Sequence, residues 1–438
     1  MNHYLEKVWN EAEDGEPLIT LGKALWPICR SLTGKGVRET LSTLQSVYKN
    51  IQTKAYKCGQ QVFDWKIPPE WNIEKAWIKD EDGNYIIDMS QNNLHVVGYS
   101  MPINGLLDLS DLKQKIHYYE KNNDAIPYVT SYYTRDWGFC MSKRQYDSLS
   151  SGKYEVCIDS SFNENGQMNY GEAIIKGSSE EEVLFSTYIC HPSMANNEIS
   201  GPVVTTYLAD WIHRIGTPRY TYRFVFVPET IGSIAYIHNN LEMLKKNVIA
   251  GINVTCIGDE RTYSYLPSRN GNTYADKISK YVLSYVDKHY KSYSWLDRGS
   301  DERQYCSPGV DLPVCSVMRS KYGEYPEYHT SLDNFEVVTA KGLAGGLKVL
   351  KMIVSILETN IVPESVHLCE PQLGKRQLCR TDKTNMPHDL LKNMANALSY
   401  CDGTCDLIDI SKKLGISYID TEKSASLLLK HDLIKANV

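Results

Sequence analysis

EEVLFSTYICHPSMANNEISGPVV, residues 181–204, contains the reading that decides the fold. An apolar run, Val183–Phe185, lies inside a strand candidate over 181–189. His191 follows off the strand end, then Asn196, Asn197 and Glu198, and Ser200-Gly201 open a stretch of helical spacing. Polar residues gathered at a strand-to-helix junction point to chemistry in α/β proteins, because ligands collect beyond the carboxyl ends of parallel strands.

The same alternation continues outward from this stretch. Strand candidates are TYRFVFVP (221–228), VIAGINVTCI (248–257) and DLPVCSVMR (311–319). Between them GPVVTTYLADWIHRI, SIAYIHNNLEMLKKN and ADKISKYVLSYVDKHY carry helical periodicity. Nearly continuous apolar strands separated by helices predict an α/β domain, with a mostly parallel sheet covered by helices on both faces. Residues 1–50 read as helical, and about 60–165 as short alternating runs broken by Asp-Gly and Asn-Gly turns. The final stretch reads as three short helices, the last two resembling a helix-turn-helix. The predicted organisation is a catalytic domain over 1–60 and 165–362, an inserted β-rich domain over 61–164, and a winged helix-turn-helix over 380–438.

Composition narrows the function. At 438 residues, with 42% hydrophobic and 23% charged residues, the chain is an ordinary globular protein too long for one core. Its net charge of −6 argues against general binding of nucleic acid or anionic membrane, both of which need clustered positive charge. The expected recognition helix opens with DTEK and lacks the leading Arg and Lys that read DNA, so this module is a candidate for packing or homo-oligomerisation. No apolar run approaches the roughly 18 residues of a membrane span. The acidic N-terminal stretch lacks the apolar core of a signal peptide, and the expected location is cytoplasmic. The 12 cysteines are scattered, and CDGTC (401–405) has no second pair with which to build a structural zinc site.

The strand ends supply the candidate site. The first ends at His191 and the second at Glu229. The third offers Asp259 and Glu260, the loop before the fourth carries Asp301, Glu302 and Arg303, and His329 lies beyond the fourth. Imidazoles and carboxylates gathered on one rim suit zinc, which leaves a position open for water, while a carboxylate outside the metal shell removes that water's proton. Arg303, Arg319, Tyr325 and Tyr328 stand near in sequence as substrate-binding candidates. Arg binds carboxylates in bidentate fashion, and a tyrosine hydroxyl polarises a carbonyl oxygen.

The succession PETIGS, GSD and YHTSLD, following H-x(n)-N-x-x-x-S-G, resembles the zinc aminopeptidase family M28. It resembles more closely the bacterial aminopeptidase-like proteins linked with polysaccharide biosynthesis, which carry a small inserted β-domain and a C-terminal winged helix. FDWKIPPEWNIEKAWIKD and IPYVTSYYTRDWGFCMS match the inserted domain, and GSDERQYCSPGVDLP the catalytic one. The resemblance implies a Zn2+ cofactor, His191 and His329 as ligands, and Glu229 as general base. Three positions depart from the M28 pattern: Asn197 where a bridging Asp is expected, Thr230 for a metal-binding Glu, and Thr255 for an Asp. Glu198 and Asp259 are then the carboxylates that could complete a single-zinc shell. The leading expectation is a hydrolase of an amide bond in a small peptide or aminoacyl conjugate. The alternatives are an inactive scaffold that binds a glycan or protein partner and, from the C-terminal helices alone, a DNA-binding regulator.

Overall fold

The computed structural model describes residues 2–378 and 387–437. It divides into two compact units, Glu13–Leu347 and Met1–Ala12 with Lys348–Val438. Within the described residues the first unit starts with helices α1 (Glu16–Leu25) and α2 (Lys35–Gln45) and strand β1 (Gln52–Lys57). Four strands follow, β2 (Glu70–Lys79), β3 (Tyr85–Asp88), β4 (Ile103–Asp108) and β5 (Lys153–Asn163). They form a separate antiparallel sheet in the order β3-β2-β5-β4. Its core is built from Ala76, Ile78, Phe139, Val156 and Ile158.

The chain then enters the large sheet through β6 (Gln167–Ile175) and β7 (Glu182–Tyr188), followed by α3 (Ser200–Arg214) and β8 (Thr221–Val227). Next come α4 (Ile231–Asn247), β9 (Val248–Val254), β10 (Ser264–Leu266), α5 (Tyr274–Val286), β11 (Lys291–Ser292) and β12 (Val314–Met318). The strand order is β1-β6-β8-β7-β9-β12-β10-β11. The four central strands, β8, β7, β9 and β12, pair in parallel. These are the four strands expected from the apolar runs, and every residue of β7, β8 and β12 is buried. Antiparallel strands flank them: β6 and β1 at one edge, β10 at the other. The α/β architecture with a mostly parallel centre therefore stands, and the edges add antiparallel strands that the apolar pattern did not predict.

Two features hold this centre in register. Gly201 lets the start of α3 lie directly on the sheet: a Cβ there would collide with Thr187 Oγ1 and approach Val254 O to 2.6 Å. Pro202 follows in the first turn of α3. Across β6, β7 and β8, Arg223 donates to Glu182 with Nε at 2.6 Å and Nη2 at 2.9 Å. Its Nη1 donates to Glu172 at 2.9 Å. The buried charges are thus paired through a two-pronged contact, the arrangement that offsets their desolvation.

The second unit contains the helices α6 (His388–Leu398), α7 (Leu407–Leu414) and α8 (Tyr418–Lys430) and a two-stranded antiparallel pair, Val362–Ser365 with Ile434–Asn437. Asp406 caps α7, Gly415 ends it in the left-handed conformation (φ 65°), and Ser417 caps α8. This tight helix-turn-helix with its strand pair is the winged-helix form. Residues 380–386 and Val438 of the expected module lie outside the described residues. No helix among the described residues is long and apolar enough to cross a membrane.

A candidate metal centre at the sheet rim

β7 and β8 run parallel, and their pairing continues one step past the strand end, where Ile189 N donates to Val227 O. That extension carries Cys190 and His191 to the carboxyl rim beside Glu229. The chain turns sharply at Ser193 (φ 46°) and enters a π-helical turn, Ala195–Ile199, before α3. Asp333 fastens this turn. Its Oδ1 accepts from Asn196 N at 2.7 Å and its Oδ2 from Asn197 N at 2.9 Å and from the Tyr325 hydroxyl at 2.8 Å. The extra residue of a π turn rotates the side chains that follow, and such turns cluster at functional sites. Here Glu198 lies back against His191.

The geometry about His191 is ordered on both ring edges. His191 Nδ1 lies 2.8 Å from Glu198 Oε2, and Nε2 lies 3.4 Å from Glu229 Oε2. Since a carboxylate only accepts, Nδ1 carries the donated hydrogen, and Nε2 is the nitrogen turned toward the cavity. Arg30, buried, donates through Nη1 to His191 O at 3.3 Å, through Nε to Thr40 Oγ1 at 3.0 Å, and through Nη2 to Leu25 O. Burial disfavours a charged His191 ring, but neighbouring Cys190 and Glu198 outweigh it and hold the pKa well above the usual imidazole value. Burial also raises Glu198 and Glu229 above the ordinary carboxylate range, and it pushes the Cys190 thiol up to about 11.

His329 enters from the far loop with a left-handed backbone (φ 56°), its ring centroid 5.7 Å from that of His191. Burial, aided by the nearby His191, lowers its pKa to about 3, so the ring is a neutral imidazole. Tyr128 of the inserted segment meets both imidazoles edge-on, at centroid distances of 4.9 Å from His191 and 5.2 Å from His329. Its backbone N–H donates to His329 O at 2.9 Å, and its hydroxyl lies 2.6 Å from that of Tyr132. These groups border a cavity of about 400 Å³, walled also by Trp65 and Tyr133 and reached by Glu229, Thr230 and Arg303.

Of the residues expected from the sequence, His191, Glu229, His329 and Arg303 meet in this cavity, with Glu198 directly behind His191. Asp259 does not join them. Its Oδ1 accepts from Arg261 N and Ser320 Oγ, and its Oδ2 from Asn196 Nδ2 and Ser320 N. It is a loop-organising carboxylate, and its expected role as a ligand is corrected on that ground. Arg319 lies over the Tyr263 ring at 3.9 Å, the Tyr325 hydroxyl is spent on Asp333, and the Tyr328 ring stacks on His329 at 3.9 Å. None of the three lines the cavity; Tyr325 and Tyr328 instead pack about the loop that carries His329. Arg30, Asp333 and the Tyr128–Tyr132 pair were missed. The only sequence signal for the last was the tyrosine-rich IPYVTSYY.

Two of the three departures noted above, Asn197 and Thr255, prove to be connected. Asn197 Nδ2 donates to the Tyr188 hydroxyl at 2.7 Å, Tyr188 lies 2.5 Å from Thr255 Oγ1, and Thr255 Oγ1 donates to Asn197 O at 3.1 Å. Asn197 and Thr255 therefore close a neutral hydrogen-bonded ring. Thr230, at the head of α4, has φ 66°, a strained value for a β-branched residue. Asp301 Oδ1 secures it by accepting from Thr230 N and from Ser233 Oγ, each at 2.8 Å. Burial and the neighbouring Glu229 push Asp301 up to about 7.

Comparison with known proteins agrees with this architecture. Residues 20–360 match the family described as a domain of unknown function (DUF4910), and residues 361–436 match a winged helix-turn-helix family. A Clostridium acetobutylicum protein named as a polysaccharide biosynthesis protein with an aminopeptidase-like domain is 40% identical over 438 residues, covering 99% of each chain. A crystal structure of a C. acetobutylicum protein named as a peptidase covers 100% of this chain and 99% of its own, at 38% identity and a TM-score of 0.91. The zinc aminopeptidase of Bacillus subtilis shares the fold at 13% identity, with a TM-score of 0.57, covering 78% of this chain and 94% of that one.

Proposed function

The chain belongs to the DUF4910 family, with an aminopeptidase-like fold and a C-terminal winged helix, and from that premise we propose that it is a zinc-dependent hydrolase of amide or peptide bonds. The observation that carries the reading is the convergence of His191 Nε2, His329 and Glu229 on one cavity, with Nε2 and Glu229 Oε2 3.4 Å apart. Without a metal the raised pKa of His191 keeps a proton on Nε2 facing Glu229; a bound cation would replace that proton and take the nitrogen lone pair. The donor types fit zinc: His329 is neutral, and Glu198 fixes His191 through the ring nitrogen that does not face the cavity, the arrangement found behind metal-bound imidazoles. His191 and His329 would hold the ion. The neutral Asn197–Tyr188–Thr255 ring favours one ion over two, since neither amide nor hydroxyl replaces a carboxylate ligand.

When bound, zinc supplies Lewis-acid activation of water and of the substrate carbonyl. Glu229, the only carboxylate among the described residues lining the cavity, takes a proton from the attacking water. The water oxygen bonds to the carbonyl carbon, the C–N bond breaks, and Glu229 returns the proton to the departing amine. The Tyr128–Tyr132 pair has two hydroxyl hydrogens and spends one on the mutual bond, leaving one to donate to the carbonyl oxygen as it gains charge. The substrate class is a small peptide or aminoacyl conjugate. The name of the 40% identical relative, a polysaccharide biosynthesis protein, supports a substrate drawn from that chemistry.

The test is elemental analysis combined with amide hydrolysis on the untagged chain. About one zinc per chain is expected, lost in both His191→Ala and His329→Ala. Glu229→Gln should keep the zinc and lose turnover. Full zinc occupancy in both histidine variants would overturn the ligand assignment, and loss of zinc in Glu229→Gln would make Glu229 a ligand instead of the base.

A further inference from the structure

The few charged groups that line the cavity bear on what it can admit. Among the described residues that line it, Glu229 is the only carboxylate and Arg303 the only guanidinium. An enzyme that selects free peptide N-termini must pair the substrate ammonium with an anion, because an unpaired charge in a desolvated site is costly. Here no second carboxylate is on offer. Glu198 is 1% exposed behind His191, Asp301 accepts from Thr230 and Ser233, and Asp259 is held by Ser320 and Asn196.

Arg303 shows the opposite condition. Its Nη2 donates to Thr230 Oγ1 at 2.8 Å, while its buried Nε has no partner. A buried N–H donor left unpaired costs free energy, and the two edges of a guanidinium are shaped for the two oxygens of a carboxylate. The Thr230 contact holds the fork at the head of α4, one residue from Glu229 in sequence. The strain at Thr230 (φ 66°), maintained by Asp301, keeps that threonine where its hydroxyl can hold Arg303. Beyond these groups and the two histidines the wall is largely aromatic and aliphatic, with Trp65, Tyr128, Tyr132, Tyr133, Leu32 and Ile231.

We propose that this site selects amides bearing a free carboxylate, bound by Arg303, and no free ammonium: N-acylated amino acids or N-blocked peptides. The proposal rests on the hydrolase reading for its reaction. Its recognition step is separate and can be measured without turnover. Hydrolysis of such a substrate consumes one water, forms a bond from the water oxygen to the acyl carbon, and releases a carboxylate and an amine, with no further reactant.

The experiment is calorimetric titration of the full chain, zinc-loaded and zinc-free, with N-acetyl-L-leucine, which has a carboxylate and no ammonium, and with L-leucinamide, which has the reverse. N-acetyl-L-leucine is expected to bind both forms, and L-leucinamide neither. Arg303→Gln should weaken N-acetyl-L-leucine by roughly 10- to 100-fold, as loss of a charge-assisted bidentate pair implies. Arg303→Lys, which keeps the charge but loses the fork, should fall between. Circular dichroism of both variants establishes that they are folded. Tighter binding of L-leucinamide than of N-acetyl-L-leucine would overturn the proposal, as would unchanged N-acetyl-L-leucine affinity in folded Arg303→Gln. Absence of zinc and of hydrolysis, with Arg303-dependent binding retained, would refute the hydrolase reading and leave this one standing.

Discussion

Glu198→Gln separates two roles for a carboxylate beside the imidazole proposed to bind metal. In the parent, Glu198 Oε2 accepts from His191 Nδ1 at 2.8 Å, while Nε2 faces the cavity on the other edge of the ring. Glutamine keeps the shape and an acceptor oxygen, so His191 stays oriented, but the negative charge that makes the ring a stronger donor to zinc is gone. Loss of such a supporting carboxylate lowers metal affinity by roughly 10- to 100-fold, which is about 1.4 to 2.8 kcal/mol at 1.4 kcal/mol per decade. A direct ligand would cost far more, and His191→Ala provides that benchmark in the same preparation. The assay is competition for zinc against a chelating dye at fixed pH, with thermal unfolding of the zinc-free chain as the control for folding. Zinc affinity equal to the parent would refute the supporting role. Affinity reduced as far as in His191→Ala would show that Glu198 itself binds the ion.

Other outcomes follow from the same contacts. Tyr132→Phe removes one of the paired hydroxyls and should lower kcat by about 100-fold with KM little changed, as loss of a carbonyl-oxygen donor does; steady-state kinetics on any cleaved amide would show it. Gly201→Ala places a methyl within 2.6 Å of Val254 O and should destabilise the first unit by about 2 kcal/mol, read by denaturant unfolding. Asp276 is desolvated, which raises its pKa. Donors from Ser268, Tyr265 and Thr273 outweigh that and hold it below the ordinary carboxylate value. Its stabilising contribution is therefore complete above the unfolded value of about 3.9 and vanishes as pH falls through the lower folded one. Asp276→Asn should lower stability at neutral pH and flatten its loss as pH falls below the ordinary carboxylate value of about 3.9, measured by thermal unfolding across acidic pH.

The centre of the fold was legible because buried parallel strands must be apolar along their whole length. Residues 182–188, 221–227 and 314–318 announce themselves in that way. Gln52–Lys57 escaped because it is an edge strand with one buried residue, Tyr56, among polar ones. The candidate site was half legible for a related reason. Topology places residues after a strand at the rim, so His191, Glu229 and His329 could be found from position alone. Topology does not say which way a rim side chain turns. Asp259 satisfies the positional rule and yet serves Ser320 and Asn196. Tyr128 and Tyr132 violate the rule, since they come from the other side of the molecule's sequence and reach the cavity through tertiary contact. Glu198 was found as a carboxylate near His191, but its side of the ring was set by the π turn, which the sequence does not signal.

The seam between the inserted segment and the ligand loop has a consequence for how the centre comes into being. Ile126 N donates to Ser331 Oγ across 205 residues of chain, Tyr128 N donates to His329 O, and Pro127 pairs with Thr330. Contacts this distant in sequence are slow to form, because the intervening chain must first be closed into a loop. During synthesis the insertion leaves the ribosome long before residue 329 exists, and domains fold largely as they emerge. The inserted segment is therefore made first, and the loop carrying His329 pairs with its residues 126–128 afterwards. A chain that stops short of residue 329 lacks both His329 and this seam, so the rim cavity is closed only once that loop has been made.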